Sequence, residues 1–144
     1  MSYTIDANIL LYASDQSSPV HQRARELVGL LADGPEIAYL FWPTVMAYLR
    51  IATHPAVVAR PRSIVEATCN IEQLLALPHV RTAGEGEAFW RTFAAVSDDA
   101  LPSGNLVPDA HVVTLMLEND VRTIWTRDRD FRRFSRIEVR DPFA

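Results

Sequence analysis

Short β-prone runs and stretches with helical apolar spacing take turns along the whole chain, and that alternation restricts the fold more than any single motif. SYTI leads to Asp6, and ANILLYAS after it is spaced as a helix. VHQRARELVGLLA, Val20 to Ala32, places Val20, Ala24, Leu27, Val28 and Leu31 on one face of a helix closed by the Gly34-Pro35 breaker. EIAYLF, Glu36 to Phe41, reads as a buried strand. Pro43 stands where an N1 proline would open a helix through TVMAYLRIATH, which Pro55 ends. Ser63 and Glu66 make a capping-box pattern ahead of a helix to Leu77. HVRTA predicts a strand, EAFWRTFAAVS a helix, and SDDALPSGNLVP the longest irregular stretch. DAHVVTLMLEND then predicts a helix opening at Asp109, TIWT a strand, DRDFRRF a turn of helix and RIEV an edge strand. Such alternation requires βαβ crossovers, so the expected fold is α/β, a mainly parallel sheet with helices on both faces. At 144 residues and 49% hydrophobic, the chain suffices for one domain, residues 1–144, and is too short for two of ordinary size.

Composition removes several function classes. A net charge of −4 lacks the footprint of a bulk nucleic-acid binder, but leaves room for an acidic site that attacks a phosphate ester through metal. All 14 basic residues are arginine. A P-loop, a phosphoryl-aspartate site with its lysine, and Schiff-base chemistry are therefore excluded. Arginine suits phosphate or carboxylate recognition, although a codon bias explains the absence of lysine equally well. Cys69 stands alone, so no intramolecular disulfide can form and a reducing compartment is the default. MSYTIDANILLY has no basic n-region and Asp6 breaks its apolar run, which reads as neither signal peptide nor membrane span; a cytoplasmic location is expected.

In an open parallel sheet, ligands bind beyond the carboxyl ends of the strands. Asp6 follows the first strand, Asp128 follows TIWT, and Asp109 comes directly after Pro108 at an expected helix start. If the two strands are neighbours, three aspartates from distant parts of the chain share one rim. Like charges so placed repel, and a shared divalent cation relieves them. Oxygen ligands without a local His or Cys set point to a hard ion, Mg²⁺ or Mn²⁺, rather than zinc. Each residue also has a plainer role: Asp109 as an N-cap, Asp6 as a turn former with Asn8, Asp128 and Asp130 as loop charges neutralised by Arg127 and Arg129.

Four segments in order, DAN (Asp6 to Asn8), YLRIATHP (Tyr48 to Pro55), GNLVPDAH (Gly104 to His111) and TRDRDF (Thr126 to Phe131), resemble a PIN-domain ribonuclease, specifically a VapC-type toxin of a type II toxin–antitoxin pair. The resemblance spans nearly the whole chain. It implies a PIN-like five-stranded parallel sheet with an acidic cleft, and Mg²⁺- or Mn²⁺-dependent hydrolysis of RNA, often tRNA or rRNA, by metal-activated water, with inhibition of translation and growth. It implies Asp6, Asp109 and Asp128 as catalytic metal ligands, Asp130 as an outer ligand or helper, and Asn8 and Thr126 as residues that hold the carboxylates. A cognate antitoxin protein laid over the cleft and a homodimer are implied as well. The chain departs from the pattern at one place. The family's helix glutamate, in a segment like EFLR, aligns with Ala47 in AYLR, where a methyl group can neither ligate metal nor take a proton. Thr44, one turn earlier, is the nearest polar substitute. That departure leaves a catalytically degenerate PIN-like binding module as an alternative. A doubly wound metal-dependent phosphatase is another, disfavoured by the absence of lysine and of Asp-x-Asp after the first strand.

Arg127, Arg129, Arg132 and Arg133 on the rim could hold RNA phosphates or form a solvated face, and Arg50 could pair with a carboxylate or a phosphate. His111 is expected against core or backbone rather than as a general base. Trp42, Trp90 and Trp125, with Phe41, Phe89 and Phe93, are expected in the core because they fall in apolar runs.

Overall fold

A computed structural model describes all 144 residues. In chain order it runs β1 (Ser2–Ile5), α1 (Ala7–Ser14), α2 (His21–Asp33), β2 (Ile37–Phe41), α3 (Trp42–Ala52), α4 (Ile64–Leu75), β3 (Val80–Ala83), α5 (Phe89–Ala100), α6 (Leu106–Glu118), β4 (Thr123–Trp125), a 3₁₀ turn (Arg129–Arg133) and β5 (Glu138–Arg140). The strands form one five-stranded sheet in the order β3-β2-β1-β4-β5, and every pairing is parallel. This is the α/β architecture expected from the alternation, with the five parallel strands that the resemblance implies. No helix is long and apolar enough to cross a membrane.

Strand alternation divides the interior in two. Tyr3 and Ile5, with Ala38 and Leu40, face a cluster that also takes Leu10, Leu27, Leu31, Val45 and Tyr48 from the helices of the first half. Phe41 and Ile124 face the other side, with Val96, Ala110, Val113 and Met116 from α5 and α6. The sheet is therefore covered on both faces, as parallel strands require. On α2, Ala24, Leu27 and Leu31 are buried as the helical spacing predicts. Gly34 ends that helix at φ 58°, and a Cβ there would run into the ring of His79. A capping box opens α4.

The structure corrects the reading of the segment before β4. Val96 and Ala100, four apart, are both buried, so α5 continues through SDDA and closes on Leu101 in the left-handed region at φ 49°. Leu106, Ala110 and Val113 bury a second helical stripe, so α6 begins at Leu106, before Pro108. The long irregular stretch shrinks to Leu101–Asn105. Pro108 is accommodated in the first turn, where its missing N–H has no helical partner to lose. Asp109 thus lies inside the first turn of α6 rather than at its cap. Pro43, similarly, occupies the second helical position of α3 rather than the first.

Candidate metal centre at the strand ends

The register that places β4 beside β1 decides where the carboxylates go. Ile5 pairs with Trp125, and the Asp6 N–H donates to the Trp125 carbonyl at 3.0 Å. The chains then diverge, leaving Asp6 and Thr126 adjacent at the carboxyl rim. Thr126 Oγ1 donates to Asp6 Oδ2 at 2.7 Å and accepts from the Asp128 N–H at 2.9 Å. Asp128 Oδ1 accepts from the Asp130 N–H at 2.9 Å and so caps the 3₁₀ turn. Buried Phe131 anchors that turn in the second core cluster. One buried hydroxyl therefore links the ends of two strands 120 residues apart.

Asp109 approaches from α6. Asp109, Asp128 and Asp130 each bring a carboxylate oxygen within 4.8 Å of the others. Asp130, expected outside, is a member of this trio; Asp6 stands beside it, joined through Thr126 and through its charge. Asp109 is pushed up to about 7, first by burial and then by the charges of Asp128, Asp6 and Asp130. Burial also raises Asp6. The Thr126 hydroxyl and the backbone N–H groups of Ala7 and Asn8 oppose that shift, and the Asp128 charge adds to it.

Nothing cationic neutralises this rim. None of the chain's ion pairs includes Asp6, Asp109, Asp128 or Asp130. Arg127 turns away, its guanidinium 6.0 Å from the Tyr12 ring centre and 5.9 Å from that of Phe143. Arg129 and Arg50 are exposed and belong to no ion pair. Arg133 donates to the Ala100 carbonyl, tying the 3₁₀ turn to the end of α5. The neutralising role considered for Arg127 and Arg129 is thus absent. Asn8 Oδ1 is buried without a hydrogen-bond partner. A set of carboxylate oxygens, an orphaned amide oxygen and no resident positive charge fits a hard divalent cation.

Thr44 is buried in the first turn of α3. Ala47 is half-buried and packs against the first core cluster, so its methyl contributes packing where the family pattern has an acid. His111 Nε2 donates to Glu85 Oε1 at 2.6 Å, a hydrogen bond between α6 and the segment after β3. Two aromatic expectations fail. Trp42 is 41% exposed and Trp90 is 73% exposed, whereas Phe41 is fully buried and Trp125, Phe89 and Phe93 are half-buried. On α5 the buried stripe follows Phe93, Val96 and Ala100, and Trp90 sits off it by most of a quarter-turn or more.

Comparison with known proteins follows the same lines. Over 144 residues the chain is 46% identical to ribonuclease VapC48 of Mycobacterium tuberculosis, covering 100% of this chain and 99% of that one. Its fold is similar to that of VapBC2 from Rickettsia felis, solved bound to a promoter DNA fragment, at TM-score 0.68 with 14% identity, covering 97% of this chain and 98% of that one. It is equally similar to VapC20 of M. tuberculosis, a Sarcin-Ricin loop cleaving toxin, at TM-score 0.68 with 14% identity and coverage of 96% and 99%. No protein-family model matches.

Proposed function

The chain belongs to the VapC ribonuclease family, and from that membership and its acidic rim we propose that it is a divalent-cation-dependent endoribonuclease, the toxin of a toxin–antitoxin pair. The observation that carries the reading is the convergence of Asp109, Asp128 and Asp130 within 4.8 Å with no arginine paired to any of them. Asp109, Asp128 and Asp130 would hold Mg²⁺ or Mn²⁺, with Asp6 beside them. When bound, such an ion supplies positive charge at the scissile phosphate and acidifies a water.

The protein's own residues do the rest. Thr126 holds the Asp6 carboxylate with one hydroxyl hydrogen bond and the Asp128 backbone with another, so the two strand ends keep a fixed separation. Asp128, by capping the 3₁₀ turn, fixes Asp130 at its side. Asp6, desolvated and held by Thr126, would take a proton from an attacking water. Asp109, about half protonated near pH 7 while the carboxylates stand alone, would lose that proton if positive charge were held in the trio. The role lost with glutamate at position 47 falls to Asp130.

RNA is the substrate, with tRNA or rRNA as the expected class, and a cognate antitoxin covers the rim to silence it. Assembly as a homodimer and a cytoplasmic location complete the proposal. The test is cleavage of total RNA by the purified full-length protein in Mg²⁺ or Mn²⁺, compared with Asp109→Asn. Asp109-dependent fragments support the reading. Equal, low cleavage by both proteins would make the chain a non-catalytic PIN-like module, and turnover of a phosphate monoester with RNA left intact would make it a phosphatase.

A further inference from the structure

Of the two tryptophans that the apolar pattern assigns to the core and the fold leaves in solvent, Trp90 is the more exposed, at 73%. It is not loose. Its ring stacks on Phe93 at 5.7 Å and 24°, Phe93 stacks on Phe89 at 6.0 Å and 24°, and Phe89 meets His111 edge-on at 5.3 Å. Between α5 and α6 these rings enclose a slot of about 280 Å³, lined by Glu85, Phe89, Trp90, Phe93, Val107 and His111. That is small for a ligand pocket, of a size for a single ring lying against the aromatic side chains.

The slot lies on the rim that carries the carboxylates. Glu85 follows β3, Trp42 follows β2, and Asp6 follows β1, in three consecutive strands of the sheet. Strand spacing puts the β3 end about 10 Å from the β1 end. Asp109 and His111 both lie in the first two turns of α6, although two positions apart they leave it on different sides. Trp42, itself 41% exposed and packed close to Gly84, stands between the two places.

We propose that this slot is a nucleobase subsite, in which a base flanking the cut stacks on Trp90 and presents its edge to the Glu85–His111 pair; this deepens the nuclease reading above and rests on it. Stacking is independent of charge, which matters for a protein of net charge −4 whose Arg127 turns away to Tyr12 and Phe143. Glu85 accepts at 2.6 Å from His111 through one oxygen, and no other side chain engages its second. A carboxylate acceptor selects bases that carry an exocyclic amine, so adenine, cytosine or guanine is favoured over uracil. A protein occupant fits less well, because the centre of a protein–protein interface is depleted of charge and this slot has the Glu85 carboxylate in its wall.

The test uses the full-length protein with Mn²⁺ and a set of oligoribonucleotides that differ only in one base beside the cut, with kcat and KM measured separately. Trp90→Ala is expected to raise KM about tenfold with kcat nearly unchanged and to flatten the base preference, while Trp90→Phe restores most of both. Glu85→Gln, which can donate as well as accept, is expected to narrow the gap between cytosine and uracil. Wild-type KM and an unaltered cut pattern in Trp90→Ala, in a wild-type protein that cleaves, would overturn the subsite alone. So would a change in oligomeric mass with RNA kinetics intact, which would assign the slot to a second copy. A wild-type protein without Asp109-dependent cleavage overturns the nuclease reading and the subsite with it.

Discussion

Carboxylates are used in two opposite ways in this molecule. At the start of α4, Ser63 Oγ accepts from the Glu66 N–H at 3.1 Å, Glu66 Oε1 accepts from the Ser63 N–H at 3.5 Å, and Arg62 lies 3.7 Å from Glu66. Every charge there has a partner within four residues, and the result is an ordinary helix start. At the ends of β1 and β4, four aspartates gather from across the chain and no arginine joins them, although four arginines lie between Arg127 and Arg133. The first arrangement stabilises the fold locally. The second costs stability, and a fold retains such a cluster where a bound cation or a reaction makes use of it.

The contrast can be broken most sharply at Asp128. Asp128→Asn is expected to cut RNA cleavage about a thousandfold, equivalent to about 4 kcal/mol of barrier, while the metal-free protein melts no lower than wild type because a repulsion has been removed. Loss of folding instead of activity, read by circular dichroism, would place Asp128 with the structural carboxylates of α4. Thr126→Val removes the hydroxyl that joins the two strand ends, and a 10–100-fold loss of cleavage or of Mn²⁺ affinity is expected. Calorimetric titration with Mn²⁺ measures it.

A pH series sharpens the difference in sign. Asp109 is raised in the fold to about 7 from an unfolded value of about 3.9. The native state therefore binds more protons between those values, and this group's contribution to stability falls as pH rises from about 4 through 7. Saturating Mn²⁺ is expected to flatten that fall in the melting temperature, with proton release on binding detected near pH 7. The smallest effect belongs to the other region. Ser63→Ala is expected to cost about 1 kcal/mol of stability in urea unfolding and to leave cleavage of RNA by the folded protein unchanged.

The same contrast explains what could be read from the chain in advance. The capping box, the α2 stripe and the strands at SYTI, EIAYLF and TIWT are short-range patterns, and each forms where its spacing says. The rim was legible only in part. That Asp6 and Asp128 follow strands is a local fact; that those strands pair is a tertiary one, which the alternation suggests and the register supplies. Membership of Asp130 in the trio depends on Asp128 capping a 3₁₀ turn, a contact over two residues that charge pattern alone reads as loop. Arg127 was misplaced for the reason that its aromatic partners, Tyr12 and Phe143, lie at opposite ends of the chain. Trp90 was misplaced because hydrophobicity within a window says nothing about angle around a helix.

The placement of β4 has a consequence for the timing of toxicity. It is the fourth strand made, yet it inserts beside the first, between β1 and β5, and it carries the turn that holds Asp128 and Asp130. A ribosome most of the way through the message has produced Asp6 and Asp109 but nothing for them to meet. The acidic rim of this VapC-family chain is thus completed by the same late zippering that finishes the sheet, and any product cut short before β4 lacks the turn that carries Asp128 and Asp130.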